Sequence, residues 1–139
     1  MKFFVTCAKG TEGALRRELV GLRIYAPKGE TGGVSFEGSF DEGMKICLWS
    51  RVAMRVLMEV GEFQASDAKS LYEGVKKVDW REFLTAKSTF AVTATTRDNT
   101  ALHHSGFAAL KVKDAVADAL RDRLGHRPNV DADNPDVSL

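Results

Sequence analysis

The chain has 139 residues, of which 44% are hydrophobic and 28% are charged, and its formal net charge is +1. This composition indicates one ordinary globular domain or two very small ones, and it excludes an intrinsically disordered chain. Because there is no overall basic excess, a surface for a polyanion must come from local segregation of charge.

The start of the chain and its cysteines indicate a cytoplasmic protein. The segment MKFFVTCAKG has too few consecutive apolar residues for a signal peptide, and no run approaches the ~18 residues of a membrane span. Cys7 and Cys47 are far apart, lack a CxxC spacing and lie in apolar segments. Free thiols in a reducing compartment, without membrane contact, are therefore expected.

The first half of the chain predicts alternating strands and helices. In chain order these are a strand at 2–7, a helix at 12–21, strands at 23–27 and 33–37, a helix at 40–49 and a strand at 55–65. Thr11 and Ser39 are the expected N-caps of the two helices, and the glycine-rich segment PKGETGG is the expected turn. The order β-α-β-β-α-β is the split βαβ arrangement of ferredoxin-like folds, so the expected fold class is α+β.

The second half predicts a different set of elements. Ser66 should cap a helix and Asp79 a short turn, and residues 89–97 should form a strand. The longest helix is expected at 105–124, ended by Gly125, and the closing NPDVSL begins a last strand. A stop inside a strand predicts a piece of something longer. We expect domains at 1–60 and 61–139, the second truncated at its last strand.

No catalytic signature is present. The sequence lacks GxGxxG after a strand, a Walker lysine, HExxH and GxSxG. KGETGG joins two predicted strands and opens no helix, which favours a hairpin over a phosphate-binding loop. His103 and His104 are adjacent, but a metal site needs three or four converging ligands and His126 is distant in sequence. No catalytic residue and no metal site are predicted, and a histidine contact to phosphate or base stays open beside a structural role.

The helix at 105–124 has two faces at about 100° per residue. Its apolar arc contains Val112, Ala115, Val116, Ala119 and Leu120. The opposite arc, most simply a solvated face, contains Lys111, Asp114, Asp118, Arg121 and Asp122. Lys113 falls at the edge of the apolar arc, where it either snorkels along the core or reaches a ligand.

A modest basic surface is the candidate site. Its residues are Arg51, Arg55, Arg97, His103, His104, Lys111 and Lys113. Neutralising phosphates requires only several such cations on one face. Trp49, Trp80 and Phe107 each sit in an apolar pattern, which favours core packing over base stacking.

Four segments carry a family resemblance: FFVTCAKGTEGALRRELVGL, GGVSFEG, CLWSRVAMRVL and the closing ALHHSGFAALKVKDAVADALRDRLGHRPNVDADNPDVSL. In order and spacing they resemble the amino-terminal region of bacterial methyltransferases that modify guanine N2 in 23S ribosomal RNA. That region is a ferredoxin-like module followed by a THUMP α/β domain. The resemblance implies an RNA-binding module that holds a structured RNA, expected to be a 23S stem-loop, while a separate domain does the chemistry.

The resemblance also extends the set of candidate residues. The matching positions are Arg51, Arg55, His103, Phe107, Lys111, Lys113, Asp114, Arg127, Pro128, Asn134, Pro135 and Asp136. Arg127 joins the RNA-binding candidates on this basis. Which matches serve RNA and which serve the fold stays open.

The family's S-adenosylmethionine-binding domain does not follow within this chain, so we expect no cofactor and no methyl transfer here, and a methyltransferase domain in cis in the parent protein. Two alternatives remain: a protein-interaction module that pairs through an open sheet edge, or a stand-alone ferredoxin-like enzyme using Cys7 or a histidine.

Overall fold

The computed structural model describes residues 1–85, 87–97, 102–125 and 128–139. These residues form two compact units, Met1–Val60 and Gly61–Leu139. Each unit has its own sheet and its own helices, and both mix α and β structure. The predicted α+β fold class is confirmed.

The amino-terminal unit is a four-stranded antiparallel sheet with two helices. Its elements are β1 (Lys2–Thr6), α1 (Glu12–Gly21), β2 (Lys28–Glu30), β3 (Gly33–Glu37), α2 (Phe40–Trp49) and β4 (Arg55–Met58). The strand order is β2-β3-β1-β4, and each neighbouring pair runs antiparallel. The predicted β-α-β-β-α-β order of a ferredoxin-like fold is therefore confirmed.

One face of this sheet is buried beneath the two helices. Because successive side chains of a strand point to opposite faces, every second residue of β1 and β3 lies on the buried side. The rings of Phe3 and Phe36 stack there, with their centroids 4.9 Å apart. The buried residues of this core are Phe3, Val5, Cys7, Leu15, Leu19, Ile24, Val34, Phe36 and Ile46.

The two helices begin at the predicted residues but by different means. Ser39 forms a capping box: its hydroxyl oxygen accepts the Glu42 amide at 3.2 Å, and the Glu42 carboxylate accepts the Ser39 amide at 2.7 Å. Thr11 occupies the N-cap position of α1, but its hydroxyl donates to the carbonyl of Ala8 at 2.7 Å. Thr11 therefore marks the start of α1 without capping it through its side chain.

The second strand lies further along the chain than predicted. Residues 23–27 form a loop, because the amides of Arg23 and Ile24 bond back to carbonyls in the last turns of α1 and φ at Arg23 is +64°. β2 instead occupies Lys28–Glu30, inside the predicted turn. The hairpin turn is reduced to Thr31 and Gly32, and KGETGG forms a hairpin as predicted.

The strand β4 is shorter than the predicted 55–65. It pairs with β1, whose first residue in the ladder is Lys2. The Glu59 amide bonds to the Lys2 carbonyl at 2.9 Å, and the pairing ends there. The length of the strand is thus set by its partner and not by the β propensity of its own sequence.

A largely buried carboxylate on α1 holds the loop between α2 and β4. Glu18, whose side chain is 13% exposed, accepts the amides of Arg51 at 3.0 Å and Val52 at 3.3 Å, and the hydroxyl of Ser50. Burial acts to raise the pKa of Glu18, but these hydrogen bonds outweigh it and leave the pKa below its ordinary value. The ionised carboxylate therefore fixes this turn.

The carboxy-terminal unit combines two long helices with a small parallel sheet. Its elements are α3 (Ala68–Lys77), a 3₁₀ turn (Trp80–Glu82), β5 (Thr89–Ala91), α4 (Ser105–Leu124), β6 (Asn129–Val130) and β7 (Val137–Ser138). The strand order is β6-β5-β7, and both pairs are parallel. The bounds of α4, its end at Gly125 (φ +80°) and the turn capped by Asp79 are as predicted. In the described ranges no helix combines the length and apolarity needed to cross a bilayer.

Three predictions for this unit were wrong in detail. The expected strand at 89–97 is regular only over Thr89–Ala91, although the amide of Thr93 still bonds to the carbonyl of Leu139 at 2.7 Å, and β6 itself was not predicted. Asp67, not Ser66, is the N-cap of α3. Its carboxylate accepts the Ser70 amide at 2.7 Å, and a negative charge there also complements the helix dipole.

The α3 and α4 helices meet along a polar seam beside a buried core. Tyr72 donates its hydroxyl hydrogen to Asp118 at 2.8 Å, and Lys76 donates to Asp122 at 2.7 Å. The hydrogen bond to Asp118 raises the pKa of Tyr72. The interpretation of the charged arc of α4 as a solvated face therefore fails at Asp118, which is partly buried, and holds at Asp122, whose side chain is 48% exposed. The buried side chains of this unit include Phe90, Leu84, Leu120, Val116 and Trp80.

The first prediction concerns the carboxylate on α1. Glu18→Gln should destabilise the amino-terminal unit at neutral pH, because an amide keeps one acceptor oxygen for three donors. The folded pKa of Glu18 is lowered, so its contribution is full above the ordinary value of 4.5 and lost as the pH falls through the folded pKa. Urea unfolding across pH should show the difference between wild type and variant shrinking below that value.

The matched control is Glu37→Gln. The carboxylate of Glu37 is exposed, and within the described residues no partner is recorded for it. This change should leave the free energy of unfolding unaltered at neutral pH. An undiminished difference between wild type and Glu18→Gln in acid would contradict the assigned role of Glu18.

The second prediction compares two helical glycines with opposite surroundings. A Cβ at Gly43 would lie 2.8 Å from Cε1 of the stacked Phe3 ring, whereas a Cβ at Gly13 meets no atom within 4 Å. Gly43→Ala should lower the free energy of unfolding by about 1–2 kcal/mol, because the steric cost of the added methyl group exceeds the gain in helix propensity from glycine to alanine. Gly13→Ala should raise it by up to ~1 kcal/mol. Urea unfolding measures both, and changes of the same sign would contradict the packing described.

Candidate nucleic-acid interface

The predicted basic residues fall on both units. Arg51 and Arg55 belong to the amino-terminal unit. Those of the carboxy-terminal unit are Arg97, His103, His104, Lys111 and Lys113. Arg127 lies outside the described residues, as does His126.

The two arginines of the amino-terminal unit lie on different sides of its sheet. The side chain of Arg51 is 91% exposed, and its Nε lies 3.6 Å from the Glu18 carboxylate on α1, in the helical layer. Arg55 opens β4, where the alternation of the strand turns Val56 to the core and Arg55 to the face without helices. They therefore do not form one basic patch with each other.

Two predicted histidines of the carboxy-terminal unit lie where α4 begins, and the backbone next to Arg97 approaches them. The hydroxyl of Thr96 donates to the carbonyl of His103 at 3.1 Å, which draws the segment that ends in Arg97 to this point. His104 is the N-cap residue of α4, and its ring lies 4.2 Å from that of His103, centroid to centroid. Arg97 and both histidines are exposed. The first turn of a helix also offers unpaired backbone amides to an anion.

A cation and an aromatic ring continue this surface along α4. Lys111 Nζ lies 5.6 Å from the centroid of the Phe107 ring, within the range of a cation–π contact. Phe107 is 43% exposed. We call the set of Arg97, His103, His104, Phe107 and Lys111 the α4 entrance. It combines positive charge with an accessible ring, the two features that bind phosphate and unpaired bases.

Lys113 lies apart from this surface. Two residues along a helix correspond to about 200° of rotation, so Lys113 and Lys111 point to nearly opposite sides of α4. The Lys113 ammonium lies 3.4 Å from the carboxylate of Asp114, and its side chain is 32% exposed. The other cations in ion pairs with acids of this unit are Lys69, Lys76, Arg81, Arg121 and Arg123.

The aromatic residues correct one sequence prediction. Trp80 is buried and its indole donates to the carbonyl of Val75 at 2.8 Å, so core packing is confirmed there. Trp49 is 68% exposed and Phe107 43% exposed, so core packing was wrong for both. The signal for Phe107 was present in the sequence, because it precedes Lys111 by four residues and so shares the charged arc of α4.

Within the described ranges, no three histidine, cysteine or acidic side chains converge on a point that could hold a metal ion. Cys7 is buried and Cys47 is exposed, and both are free thiols. The groups that the α4 entrance offers to a ligand are therefore cations and aromatic rings.

Comparison with known families divides the chain at the same place as its fold. Residues 2–57 match the model of the RlmL ferredoxin-like domain. Residues 65–139 match the model of the THUMP domain. The first match covers the antiparallel sheet and its helices, and the second covers α3, α4 and the parallel sheet.

The relatives of this chain are ribosomal RNA methyltransferases. It is 46% identical over 139 residues to "Ribosomal RNA large subunit methyltransferase K/L" of Syntrophotalea carbinolica, a match that covers the whole chain and 19% of that protein. The chain thus spans about a fifth of the length of the curated relatives that it matches.

Solved structures of methylases contain the same fold. A crystal structure of a predicted N6-adenine-specific DNA methylase from Listeria monocytogenes is 30% identical with a TM-score of 0.81, over 89% of this chain and 32% of that one. SMU.472, described as a methyltransferase complexed with SAH, is 28% identical with a TM-score of 0.83, over 92% and 35% of the two chains. The chain therefore belongs to the THUMP domain family, and its THUMP domain follows an RlmL ferredoxin-like domain.

Proposed function

We propose that this chain is the substrate-recognition part of an S-adenosylmethionine-dependent methyltransferase that modifies guanine N2 in 23S ribosomal RNA. One observation carries the proposal: its two domains match an RlmL ferredoxin-like domain and a THUMP domain, in relatives named ribosomal RNA large subunit methyltransferases. The ligand would be a structured RNA, in particular a 23S stem-loop. The place of action would be the cytoplasm, where bacterial ribosomal RNA is made.

The α4 entrance supports RNA binding by its chemistry. Its lysine and arginine can neutralise phosphates, and each neutralised phosphate releases counterions, so affinity depends steeply on salt. The exposed ring of Phe107 offers a stacking surface beside Lys111. The remaining candidates for phosphate contacts are Arg51, Arg55 and Arg127, whereas the ion pair of Lys113 with Asp114 disfavours Lys113.

The methyl donor does not fit the residues described. The glycine-rich KGETGG forms β2, the two-residue turn and the first residue of β3, and it opens no helix. We therefore assign S-adenosylmethionine and the transfer step to a methyltransferase domain in cis, in the remaining four fifths of the length that the relatives have. The complex of SMU.472 with SAH supports methyl-donor chemistry for proteins that contain this fold.

The two alternative functions have less support. A protein-interaction module would pair through a sheet edge, but β6, an edge strand of the parallel sheet, has only two residues, and a short edge is a poor template for strand addition. A stand-alone enzyme using Cys7 would need an accessible thiol, and Cys7 is only 7% exposed, in the core of the amino-terminal unit.

The third prediction separates the two lysines of α4. Lys111→Gln should weaken binding of a labelled 23S stem-loop and lower the slope of log affinity against log salt by about one unit, because one phosphate contact is lost. Lys113→Gln should have little effect, since Lys113 lies on the opposite side and pairs with Asp114. Fluorescence anisotropy over a salt series, with duplex DNA as competitor, measures both.

Two results would count against the proposed function. One is binding to the stem-loop that does not change with salt. The other is a salt slope that Lys111→Gln and Arg97→Gln both leave unchanged. Equal losses of RNA affinity in Lys111→Gln and Lys113→Gln would show that RNA contacts both sides of α4 and not the α4 entrance alone.

A further inference from the structure

The face of the antiparallel sheet without helices carries an organised set of side chains. The strand register places Phe4 of β1 between Ser35 of β3 and Leu57 of β4. Lys28 of β2 extends the same row beyond Ser35. A partly exposed ring therefore occupies the centre of this face, with an apolar residue on one side and polar groups on the other.

The ring of Phe4 lies across the sheet. A Cβ placed on Gly33 of β3 would approach Cζ of Phe4 to 2.7 Å, which means that the ring covers the glycine. Gly33 is diagonal to Phe4, because Thr6 is its direct partner on β1. The missing side chain at Gly33 leaves room for the ring, and because Phe4 is partly exposed, its ring is available for stacking.

A second aromatic residue, Tyr25, lines the same cavity and is 83% exposed. The same loop contains Arg23, two residues before Tyr25, and Ala26, directly after it, with φ of +64° and +44°, conformations that are unfavourable for residues other than glycine. The loop is anchored on both sides, since Ile24 is buried in the core and Arg16 donates to the carbonyl of Pro27 at 3.0 Å. The fold therefore holds Tyr25 out in water at a cost in backbone strain.

The cavity between these groups has a volume of about 650 Å³. This size is in the range of small-molecule sites. The positive and negative charges of this face are equal in number. The cations are Lys2, Lys28 and Arg55, and the carboxylates are Glu30, Glu37 and Glu59. Two of the carboxylates are engaged, Glu59 with Lys2 and Glu30 with Ser35, while the described residues show no partner for Glu37.

We propose that this face binds an unpaired RNA nucleobase, which stacks on Phe4 and Tyr25 and donates an amino hydrogen to Glu37. The inference rests on the proposed function, because it takes RNA as the ligand, and it names a contact that lies on the other unit from the α4 entrance.

The chemistry of the face selects this occupant. A nucleobase has an apolar π face for the rings and an edge that both donates and accepts, which matches a neutral rim with carboxylate, hydroxyl and ammonium groups. A duplex or a bare phosphate chain would meet three carboxylates without an excess of cations. The carboxylate also predicts a preference: cytosine carries an amino donor, whereas uracil, a ring of the same size, carries a carbonyl at that position.

The test uses the full 139-residue chain with fluorescein-labelled single-stranded RNAs of eight cytidines or eight uridines. Tyr25→Leu and Phe4→Leu should each weaken binding of the cytidine strand by roughly 5- to 100-fold, the range for loss of one stacking contact. Glu37→Gln should abolish the preference for cytidine over uridine. The salt slope should stay unchanged in all three variants, since no phosphate contact is removed.

Phe40→Leu is the matched control, because Phe40 is 54% exposed on α2, in the helical layer of the same unit, and should leave both affinities unchanged. Phe4→Leu could weaken binding through a folding defect. Tyr25→Leu tests the same face without that defect, because an 83% exposed side chain contributes little to the core.

Unchanged affinity in Tyr25→Leu, or equal binding of the two strands by wild type, would overturn the inference. If the stem-loop still bound through Lys111, the proposed function would stand without it. No binding of any RNA at low salt would overturn both. Self-association in sedimentation experiments that Tyr25→Leu abolishes would assign the face to a second copy of the chain.

Discussion

The alternation of β1 is the constraint on which the amino-terminal unit depends. β1 pairs with β3 on one side and β4 on the other, so its phase sets which residues of both neighbours are buried. A slip by one residue would turn Phe3 and Val5 to water and Phe4 into the core. Since each large apolar side chain contributes about 1.5–3 kcal/mol when buried, such a slip is strongly disfavoured. The same choice that builds the core also fixes Phe4 at the centre of the open face.

The elements that the sequence predicts to the residue are those whose signals are local. The capping box of Ser39 and Glu42 and the left-handed Gly125 mark helix ends through groups a few residues apart. The length of a strand depends on partners elsewhere in the chain, so β4 is shorter than its apolar pattern suggests. The loop at 23–27 has the composition of a strand, yet hydrogen bonds that close the end of α1 remove it from the sheet.

In the candidate site, too, features with local signals are predictable from the sequence, and features that depend on distant parts of the chain are not. Helical periodicity alone separates Lys111 from Lys113 and places Phe107 on the charged arc, so two of the five residues of the α4 entrance can be placed together from the sequence. The position of α3 could not be predicted from helical periodicity. Asp118 and Asp122 of α4 accept hydrogen bonds from Tyr72 and Lys76 of α3. Likewise, the approach of residue 96 to His103 depends on the path of the chain between β5 and α4.

This arrangement explains how a chain with a net charge of +1 can present a surface to a polyanion. Two acids of α4 are engaged along the seam with α3, whereas the α4 entrance holds its cations beside an exposed ring. Contacts to phosphate give affinity and orientation but carry no sequence information, which must come from base edges. A neutral aromatic platform such as the open sheet face provides the complementary property, because stacking and a single carboxylate respond to the base and not to the backbone. Affinity for RNA and discrimination between bases would then belong to different domains of one short chain, and they would differ in their dependence on salt.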